Sequence, residues 1–566
     1  MPAEAEGGLD EPADLEPEQG SLALADPADH YDRAGWESAA AAVLRKARRL
    51  TDDDPDEAVW AKLTRTTLDG IGVPPIGQPA DLDGLVTTGR PTRPSAWDVR
   101  VQAGADAEQS LAELEAGATS LWIGADGIDV DKATEGVLLD VAPVVLDGAT
   151  KEQAEALVAK APLHPDTNLG ATHDDDLVPF AEIAQRAGIR AVVVDGTAVH
   201  EQGASDAQEL GWILARGVAV ARILSRAGLE DPFGLIELRV AATDEQFPTI
   251  AKLRALRRLW DRVAEASDVQ DARTRIHAVT SRPMTSAYDV HTNMLRGTIA
   301  AFAAGVGGAD AITVVPFDEP TGEVSVLGRR IARNTHALLV EESHVAAVAD
   351  PAGGAFAVER LTDEIARVAW AELGQIESDG LEAFDQRVME VRERREAEIA
   401  TRRRPITGLT EFPNPADPTP AATDTYRYGH AFEAFRAEPV EQRVFLATLG
   451  PIAAHTARAT FATNLFAAGG IAVDVGDAGQ YDGRPVVCLA GTDQAYAEQG
   501  AAAVEALRAA GATYVVLAGK PGESTVENVD DSCAMGVDAL AFLTRVRLVL
   551  SAGEDRPRIE GEELTR

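Results

Sequence analysis

The stretch that most constrains the fold lies at residues 275–318. It contains a short run of alternating apolar residues, a long helical pattern and a second short run rich in Ile, Thr and Val. The helical pattern, at about 287–304, places Val290, Met294 and Ile299 near one face and stops at a group of glycines. A crossover helix of this length makes the two flanking strands parallel. The stretch therefore predicts one strand-helix-strand unit.

The same alternation of short apolar runs with helical stretches extends back to Trp97. Seven runs predict clear strands, and an eighth, weaker run lies at 163–169 between two helical patterns. Eight parallel strands with outer helices form a TIM (β/α)8 barrel, whose sites lie at the carboxyl ends of the strands. The seven clear runs are 97–101, 120–123, 142–146, 191–194, 236–240, 276–279 and 311–315.

The rest of the chain divides by composition into four further parts. Residues 1–30 predict a disordered acidic tail, and 31–94 predict a helical and then extended arm suited to wrapping a partner. The barrel is assigned to 95–404, including helices from about 361 to 403, and a Pro-rich linker to 405–435. Residues 436–566 predict a second domain.

This second domain carries five short apolar runs separated by Ala-rich helical patterns. Such an alternation within about 120 residues predicts a doubly wound domain of the flavodoxin type. The predicted strands are 443–448, 471–475, 486–490, 514–518 and 539–542.

Charge and cysteine usage narrow the classes of function. The formal net charge of −40 opposes binding to nucleic-acid phosphates or anionic lipid. The two cysteines, Cys488 and Cys533, are too far apart in sequence for a metal-ligand spacing, so no disulfide framework and no metal site are expected. No apolar run reaches the roughly 18 residues of a membrane span, and no secretory signal pattern opens the chain. The expected location is the cytoplasm.

Several short clusters resemble the barrel of the methylmalonyl-CoA mutase family, in the order and approximate spacing of that family. The clusters are Asp289-Val290 with Asn293 and Arg296, Arg333-Asn334-Thr335, Glu341-Glu342-Ser343, and the run from Asp350 to Phe356. The resemblance extends from about Trp97 to the end of the chain. It implies that the second domain resembles the family's cobalamin-binding domain.

Two positions where catalytic chains of the family carry pocket residues are changed here. The family's first strand ends in Arg-Gln-Tyr-Ala-Gly, and Gln102 stands at the position of its Tyr. In the family's Ser-Gly-Tyr-His motif the His hydrogen-bonds the thioester carbonyl, and Ala198 falls at that position. His200 lies two residues later, where its side chain is expected to point elsewhere. The resemblance therefore implies no catalytic residue in this barrel.

The cobalamin signature Asp-x-His-x-x-Gly is also incomplete. The corresponding run here keeps a histidine, His455, but Ala453 replaces the Asp and Arg458 replaces the Gly. The Asp of the signature orients the cobalt-ligating His, and the Gly lets the corrin tail pass close to the backbone. His455 alone is a weak candidate ligand, so no cofactor is expected on this chain.

The resemblance together with these losses implies the small, non-catalytic subunit of a heterodimeric methylmalonyl-CoA mutase. Adenosylcobalamin and the acyl-CoA substrate are then expected on a large catalytic subunit, the partner in the heterodimer. One alternative is a self-sufficient, divergent mutase that uses His200 and His455. Another is an interaction or reactivation factor for a cobalamin enzyme, although no phosphate-binding Gly-rich loop ending in Lys-Ser or Lys-Thr occurs.

Overall fold

The computed structural model describes residues 32–85, 95–104, 106–160, 162–270, 272, 274–421, 423–520 and 526–551. The predicted acidic tail lies outside these residues, as do 86–94 of the predicted arm. The chain divides into two compact units. One comprises the described residues up to Thr66 together with 72–76, and the other comprises 67–71 and everything from Gly77 onward.

The smaller unit consists of two helices and a hairpin. Helices α1 (Arg33–Lys46) and α2 (Val59–Leu63) enclose an apolar cluster, in which the rings of Trp36 and Trp60 lie 4.7 Å apart. Asp32 caps α1 by accepting a hydrogen bond from the Gly35 amide. Strands β1 (Arg65–Thr66) and β2 (Gly72–Val73) pair antiparallel.

The larger unit contains a closed ring of eight parallel strands in the order β10-β3-β4-β5-β6-β7-β8-β9. Chain order and ring order coincide, and the ring closes where Ala311 pairs with Asp98. The barrel prediction is confirmed, and the weak eighth strand is real but lies a few residues later than expected. The strands are β3 (Asp98–Ala103), β4 (Ser120–Gly124), β5 (Val144–Asp147), β6 (Asn168–Ala171), β7 (Arg190–Asp195), β8 (Ile236–Ala242), β9 (Ile276–Thr280) and β10 (Ala311–Thr313).

Helices surround this ring. The crossover helix of the opening motif begins at Thr292 rather than near 287, because Asp289 has a φ of 48° and 281–291 form a loop. The helices are α3 (Ala107–Glu115), α4 (Val130–Ala133), α5 (Lys151–Ala159), α6 (Asp174–Ala187), α7 (Thr197–Gln202), α8 (Asp206–Arg226), α9 (Gln246–Ala266), α10 (Thr292–Val306), α11 (Val326–Ala337), α12 (Phe356–Asp379) and α13 (Leu381–Ala400).

Part of the predicted arm packs on the barrel. A Cβ at Gly77 would lie 2.4 Å from the Ala357 amide nitrogen at the start of α12, so only glycine permits this approach. Asp81 follows in the same segment and forms an ion pair of 3.5 Å with Arg360. Residues 77–85 are therefore part of the larger unit rather than an extended segment outside the barrel.

A separate parallel sheet follows the barrel, with strand order β12-β11-β13-β14-β15. Its strands are β11 (Val444–Thr448), β12 (Val473–Asp477), β13 (Val486–Ala490), β14 (Tyr514–Ala518) and β15 (Asp531–Cys533), and the helices are α14 (His430–Ala437), α15 (Ile452–Ala468), α16 (Asp493–Ala495), α17 (Ala501–Ala509) and α18 (Ala539–Ser551). The predicted fifth strand at 539–542 is wrong, because these residues open α18 and bury Ala539, Phe542 and Leu543 at helical spacing.

The predicted linker is not a free tether. It ends in α14, and Leu409 and Thr410 within it are fully buried. Leu409 joins an apolar cluster that includes Ile399 of α13 and Val444 of β11. The segment therefore fixes the second sheet against the barrel through a shared core.

Candidate functional site

The carboxyl end of β3 places Gln102 at the mouth of the barrel. Its side chain is exposed, and its Oε1 accepts a hydrogen bond of 3.4 Å from Arg282. Arg282 also donates to Glu319 at 2.9 Å and to Glu201 at 3.3 Å. A cavity of about 350 Å³ lies here, lined by Gln102, Gly104 and Glu319 among others. The position of the family's Tyr thus belongs to a polar cluster, with no aromatic wall.

The short helix α7 carries both Ala198 and His200, and it places them in different surroundings. Ala198 is exposed, whereas His200 is buried with its Nε2 2.7 Å from Ser281 Oγ. The other ring nitrogen, Nδ1, lies 3.4 Å from a carboxylate oxygen of Glu209, and the Tyr428 hydroxyl is 3.4 Å from Nε2. The buried histidine is therefore surrounded by Ser281, Glu209 and Tyr428, which come from three different segments of the chain.

A buried ion pair crosses the interior of the barrel. Arg100 of β3 donates to both carboxylate oxygens of Glu237 of β8, at 2.6 and 3.3 Å, and both side chains are fully buried. Two strands lie between β3 and β8 one way around the ring and four lie between them the other way, so the pair spans the lumen. Burial alone would raise the pKa of Glu237, but Arg100 and Arg275 outweigh it and lower that pKa to about 2.

A second crossing lies closer to the carboxyl ends of the strands. Arg239 of β8 donates to Asp147 of β5 at 2.7 Å and to Asp195 of β7 at 2.8 Å. Its guanidinium carbon lies 4.1 Å from the ring centroid of Trp122. Burial would lower the pKa of Arg239, but the two carboxylates raise it above its usual value.

His277 of β9 completes this level of the lumen. Its Nδ1 accepts a hydrogen bond of 3.2 Å from Arg239, and its Nε2 is 2.8 Å from Thr313 Oγ1. Burial and the neighbouring arginines hold its pKa well below the usual value, so the imidazole is neutral. Side chains therefore fill the barrel at two levels with charged and hydrogen-bonded groups.

Sequence reasoning missed this polar filling. A signal was present: charged residues recur every second position in otherwise apolar strands, as with Glu237 and Arg239 in β8. In a parallel barrel strand, alternate residues face the lumen, so such a pattern indicates a lumen packed with ions rather than with aliphatic side chains.

In the second sheet, Arg458 projects from α15, the helix that follows β11. It donates to the Gly491 carbonyl at 2.7 Å and to Asp493 Oδ1 at 2.5 Å, both just after β13. Its guanidinium carbon is 5.0 Å from the Tyr496 ring centroid. The strand order reverses here, because β12 lies on one side of β11 and β13 lies on the other. In parallel sheets of this kind, ligands bind in the crevice at such a reversal. Arg458 bridges that crevice.

The two remaining residues of the cobalamin signature lie on the first turns of the same helix. Ala453 is exposed, and His455 is partly buried with a ring Nδ1 that has no hydrogen-bond partner among the described residues. Nothing but an alanine methyl stands at the position from which the signature's Asp would orient the histidine.

The described residues contain no group of three or more His, Cys, Asp or Glu arranged to hold a metal ion. Both cysteines are free and buried. In the described part of the chain, no helix combines the length and apolar character needed to cross a membrane.

A family model matches the part of the chain that runs from α6 through the later barrel strands to α14. The model for methylmalonyl-CoA mutase matches residues 175–442. The chain belongs to the methylmalonyl-CoA mutase family, a family of isomerases.

Within that family the most extensive similarities are to small subunits. The methylmalonyl-CoA mutase small subunit of Streptomyces virginiae is 41% identical, with 90% of this chain and 95% of that protein covered. The small subunit of Propionibacterium freudenreichii subsp. shermanii is 31% identical, with 94% and 97% covered. The large subunit of Streptomyces virginiae is 33% identical, but over only 39% of this chain and 32% of that protein.

Proposed function

We propose that this chain is the small, non-catalytic subunit of a heterodimeric methylmalonyl-CoA mutase. In this assignment the interconversion of methylmalonyl-CoA and succinyl-CoA takes place on a related large subunit, which also binds adenosylcobalamin. The observation that carries the proposal is the filled lumen, because the Arg100–Glu237 and Arg239–Asp147 pairs occupy the space that a substrate inside the barrel needs.

Two changed positions support the absence of catalysis. Gln102 offers no aromatic wall and is engaged by Arg282, and Ala198 cannot donate a hydrogen bond to a thioester carbonyl. Loss of one such donor typically lowers the rate by a factor of about 100 to 1,000. His200 does not replace it, because its ring nitrogens face Ser281 and Glu209.

We also assign the second sheet to the flavodoxin-like, cobalamin-binding type, since its strand order is 2-1-3-4-5 counted along the domain. The residues present do not fit the cofactor. Arg458 spans the crevice with three polar and aromatic neighbours, and Ala453 cannot orient His455. The domain is therefore proposed to serve packing and assembly, in a cytoplasmic complex.

The proposal is tested by producing the full chain alone and together with a large subunit of the same family. The pair is expected to co-purify one to one, and only the pair is expected to turn over methylmalonyl-CoA with adenosylcobalamin. The arm at 31–94 is expected to contribute to this contact, and a permanent interface should bury more than about 2,000 Å². Turnover by the isolated chain, or failure of the two chains to associate, would contradict the proposal.

Cobalamin binding is a separate measurement on the same material. An absorption titration of the isolated full chain is expected to show no saturable binding. The double variant Ala453→Asp with Arg458→Gly is expected to gain binding, whereas Ala453→Asp alone is not, because Arg458 still bridges the crevice. Micromolar binding by the wild-type chain that His455→Ala abolishes would show that the domain keeps its ligand.

A further inference from the structure

A cavity of about 450 Å³ opens beside the barrel mouth, away from the lumen. Segments after β7, β8 and β9 line it, together with α10, α13 and residues 404–407. Four carboxylates line this cavity, from Asp69, Asp206, Asp244 and Glu245. We call it the acidic pocket.

The arginines that line the acidic pocket are engaged by other groups. Arg395 donates to two backbone carbonyls, at 2.7 and 3.1 Å. Arg296 donates to Asn293 Oδ1 at 2.8 Å and to a backbone carbonyl at 2.7 Å. Arg404 forms an ion pair with Glu245. Arg395 and Arg296 thus donate their hydrogen bonds to groups other than the four carboxylates, whereas Arg404 pairs with one of them, Glu245.

Asp244 has no cation at hydrogen-bond distance among the described residues. Its closest partner is Arg296 Nε at 4.0 Å, and its side chain is 38% exposed. Burial raises its pKa above the usual value. A cation that enters the pocket therefore stabilises the ionised form of the Asp244 carboxylate.

The other carboxylates share too few cations. Lys252 is fully buried and serves both Asp206 and Glu209, each at 2.9 Å. Among the described residues, Asp69 accepts hydrogen bonds from Ser205 Oγ and the Ala207 amide, and burial followed by the charge of Asp206 raises its pKa to about 6. Four carboxylates and three arginines line the acidic pocket, so its lining has one more acidic than basic side chain.

Large exposed apolar side chains line the pocket or lie close in sequence to a residue that lines it. Leu295 and Ile299 lie one turn apart on α10 and are 66% and 38% exposed. Phe247, on the first turn of α9 two residues after Glu245, is 58% exposed. Met284 and Ile399 extend the apolar surface into the pocket. Exposed apolar side chains beside a concave polar centre are typical of the anchor region of a protein interface.

We propose that the acidic pocket, its exposed lining residues Leu295 and Ile299, and the nearby exposed Phe247 form a docking surface for the large subunit, which inserts a lysine or arginine side chain. This inference rests on the proposed function and identifies the surface through which the small subunit contacts the large subunit. The carboxylates select a cation, and the apolar wall fits the alkyl stem that carries it. A free small amine would leave these three apolar side chains exposed, so a protein partner accounts for the whole surface.

The experiment measures the affinity of the full chain for the purified large subunit by biolayer interferometry, for the wild type and for two variants. Asp244→Asn, which keeps the side-chain shape, is expected to weaken binding about 10-fold, and Leu295→Asp about 10- to 100-fold. Leu548→Asp is the matched control, because Leu548 is 62% exposed on α18 of the other domain, and it is expected to bind as the wild type does. Binding by the wild type is expected to weaken with added NaCl, and Asp244→Asn to reduce that dependence.

Wild-type affinity in both variants would overturn the docking surface while leaving the proposed function intact. Absence of any binding by the wild type would contradict the proposed function itself. Saturable binding of 1,5-diaminopentane to the isolated chain, with unchanged affinity of the variants for the large subunit, would overturn the proposal in favour of a small-amine site. Thermal unfolding of each variant establishes that it is folded.

Discussion

Glu237 is the residue whose charge most clearly holds the barrel interior together. Its carboxylate faces Arg100 and Arg275, and the Glu237→Gln variant removes the fully buried anion that both guanidinium groups share. Asp98, which also pairs with both arginines, remains but is less buried. Breaking a buried pair in this way typically costs about 3–5 kcal/mol. Urea unfolding is expected to show a loss of this size in the free energy of unfolding.

Glu505→Gln provides the control for that measurement, because Glu505 is exposed on α17. It is expected to change the free energy of unfolding by less than about 0.5 kcal/mol. A loss below about 1 kcal/mol for Glu237→Gln would mean that the ion pair does not bind the barrel together.

The lowered pKa of His336 predicts how the free energy of unfolding depends on pH. Burial lowers its pKa to about 4 from 6.5, and its Nδ1 accepts a hydrogen bond of 3.0 Å from Trp97. A histidine with a depressed folded-state pKa stabilises the fold fully above the unfolded pKa, and this contribution is lost as pH falls from about 6.5 toward 4. The expected loss across this window is about 3 kcal/mol.

The measurement compares wild type with His336→Gln by urea unfolding at several pH values. The difference in unfolding free energy between the two proteins is expected to shrink by about that amount between pH 6.5 and 4. His173→Gln, at an exposed position, is the matched control and should leave the wild-type profile unchanged. Glu237 does not interfere, since with a depressed pKa near 2 its contribution is lost only below about pH 4.5. A constant difference would contradict the assignment.

For single site residues, the sequence located the substituted positions, but it did not predict which groups surround them. Gln102, Ala198 and Arg458 were identified by position in a motif. The partners of Arg458 are 33 and 35 residues away in sequence, and those of Arg100 are 137 residues away. Such contacts depend on ring and sheet order, which no local pattern encodes.

At the scale of elements, apolar runs predicted seven of the eight barrel strands clearly, because buried parallel strands are mostly apolar. The eighth, β6, was predicted only from a weak run and lies at Asn168–Ala171 rather than at 163–169. The fifth strand of the second sheet was missed because β15, Asp531-Ser532-Cys533, is short and polar and lies at the sheet edge. The run at 539–542 was mistaken for it, since four apolar residues do not distinguish a strand from the start of a helix.

The packing of α8 against α9 offers a test at this scale. A Cβ at Gly217 of α8 would lie 2.5 Å from the Trp260 ring, which is buried on α9. Gly217→Ala is therefore expected to destabilise the protein by about 1–3 kcal/mol despite the better helix propensity of alanine. Thermal or urea unfolding measures this.

Gly374→Ala is the matched control within α12. No atom lies within 4 Å of a Cβ built there, so this substitution is expected to stabilise the helix by up to about 1 kcal/mol. Equal effects of the two substitutions would contradict the close packing of α8 on Trp260.

At the scale of the whole molecule, the net charge of −40 predicts a response to salt. Mutual repulsion of like charges destabilises the compact state, and the Debye length falls from about 10 Å at 0.1 M to about 3 Å at 1 M salt. The melting temperature is expected to rise by at least about 2 °C over this range at pH 7.5. The rise should shrink as the pH approaches the sequence pI of about 4.6, where the net charge vanishes. A fall of the melting temperature with salt at pH 7.5 would contradict the prediction.

The closure of the barrel also has a consequence in time. The last strand of the ring pairs with the first, and 213 residues separate Asp98 from Ala311. At a synthesis rate of about 5–20 residues per second, β3 waits roughly 10 to 40 seconds for the neighbour that completes its hydrogen bonds. During that interval the ribosome carries an open sheet with an unpaired edge, and for the first part of it Arg100 lacks its partner Glu237, which lies 137 residues further along the chain.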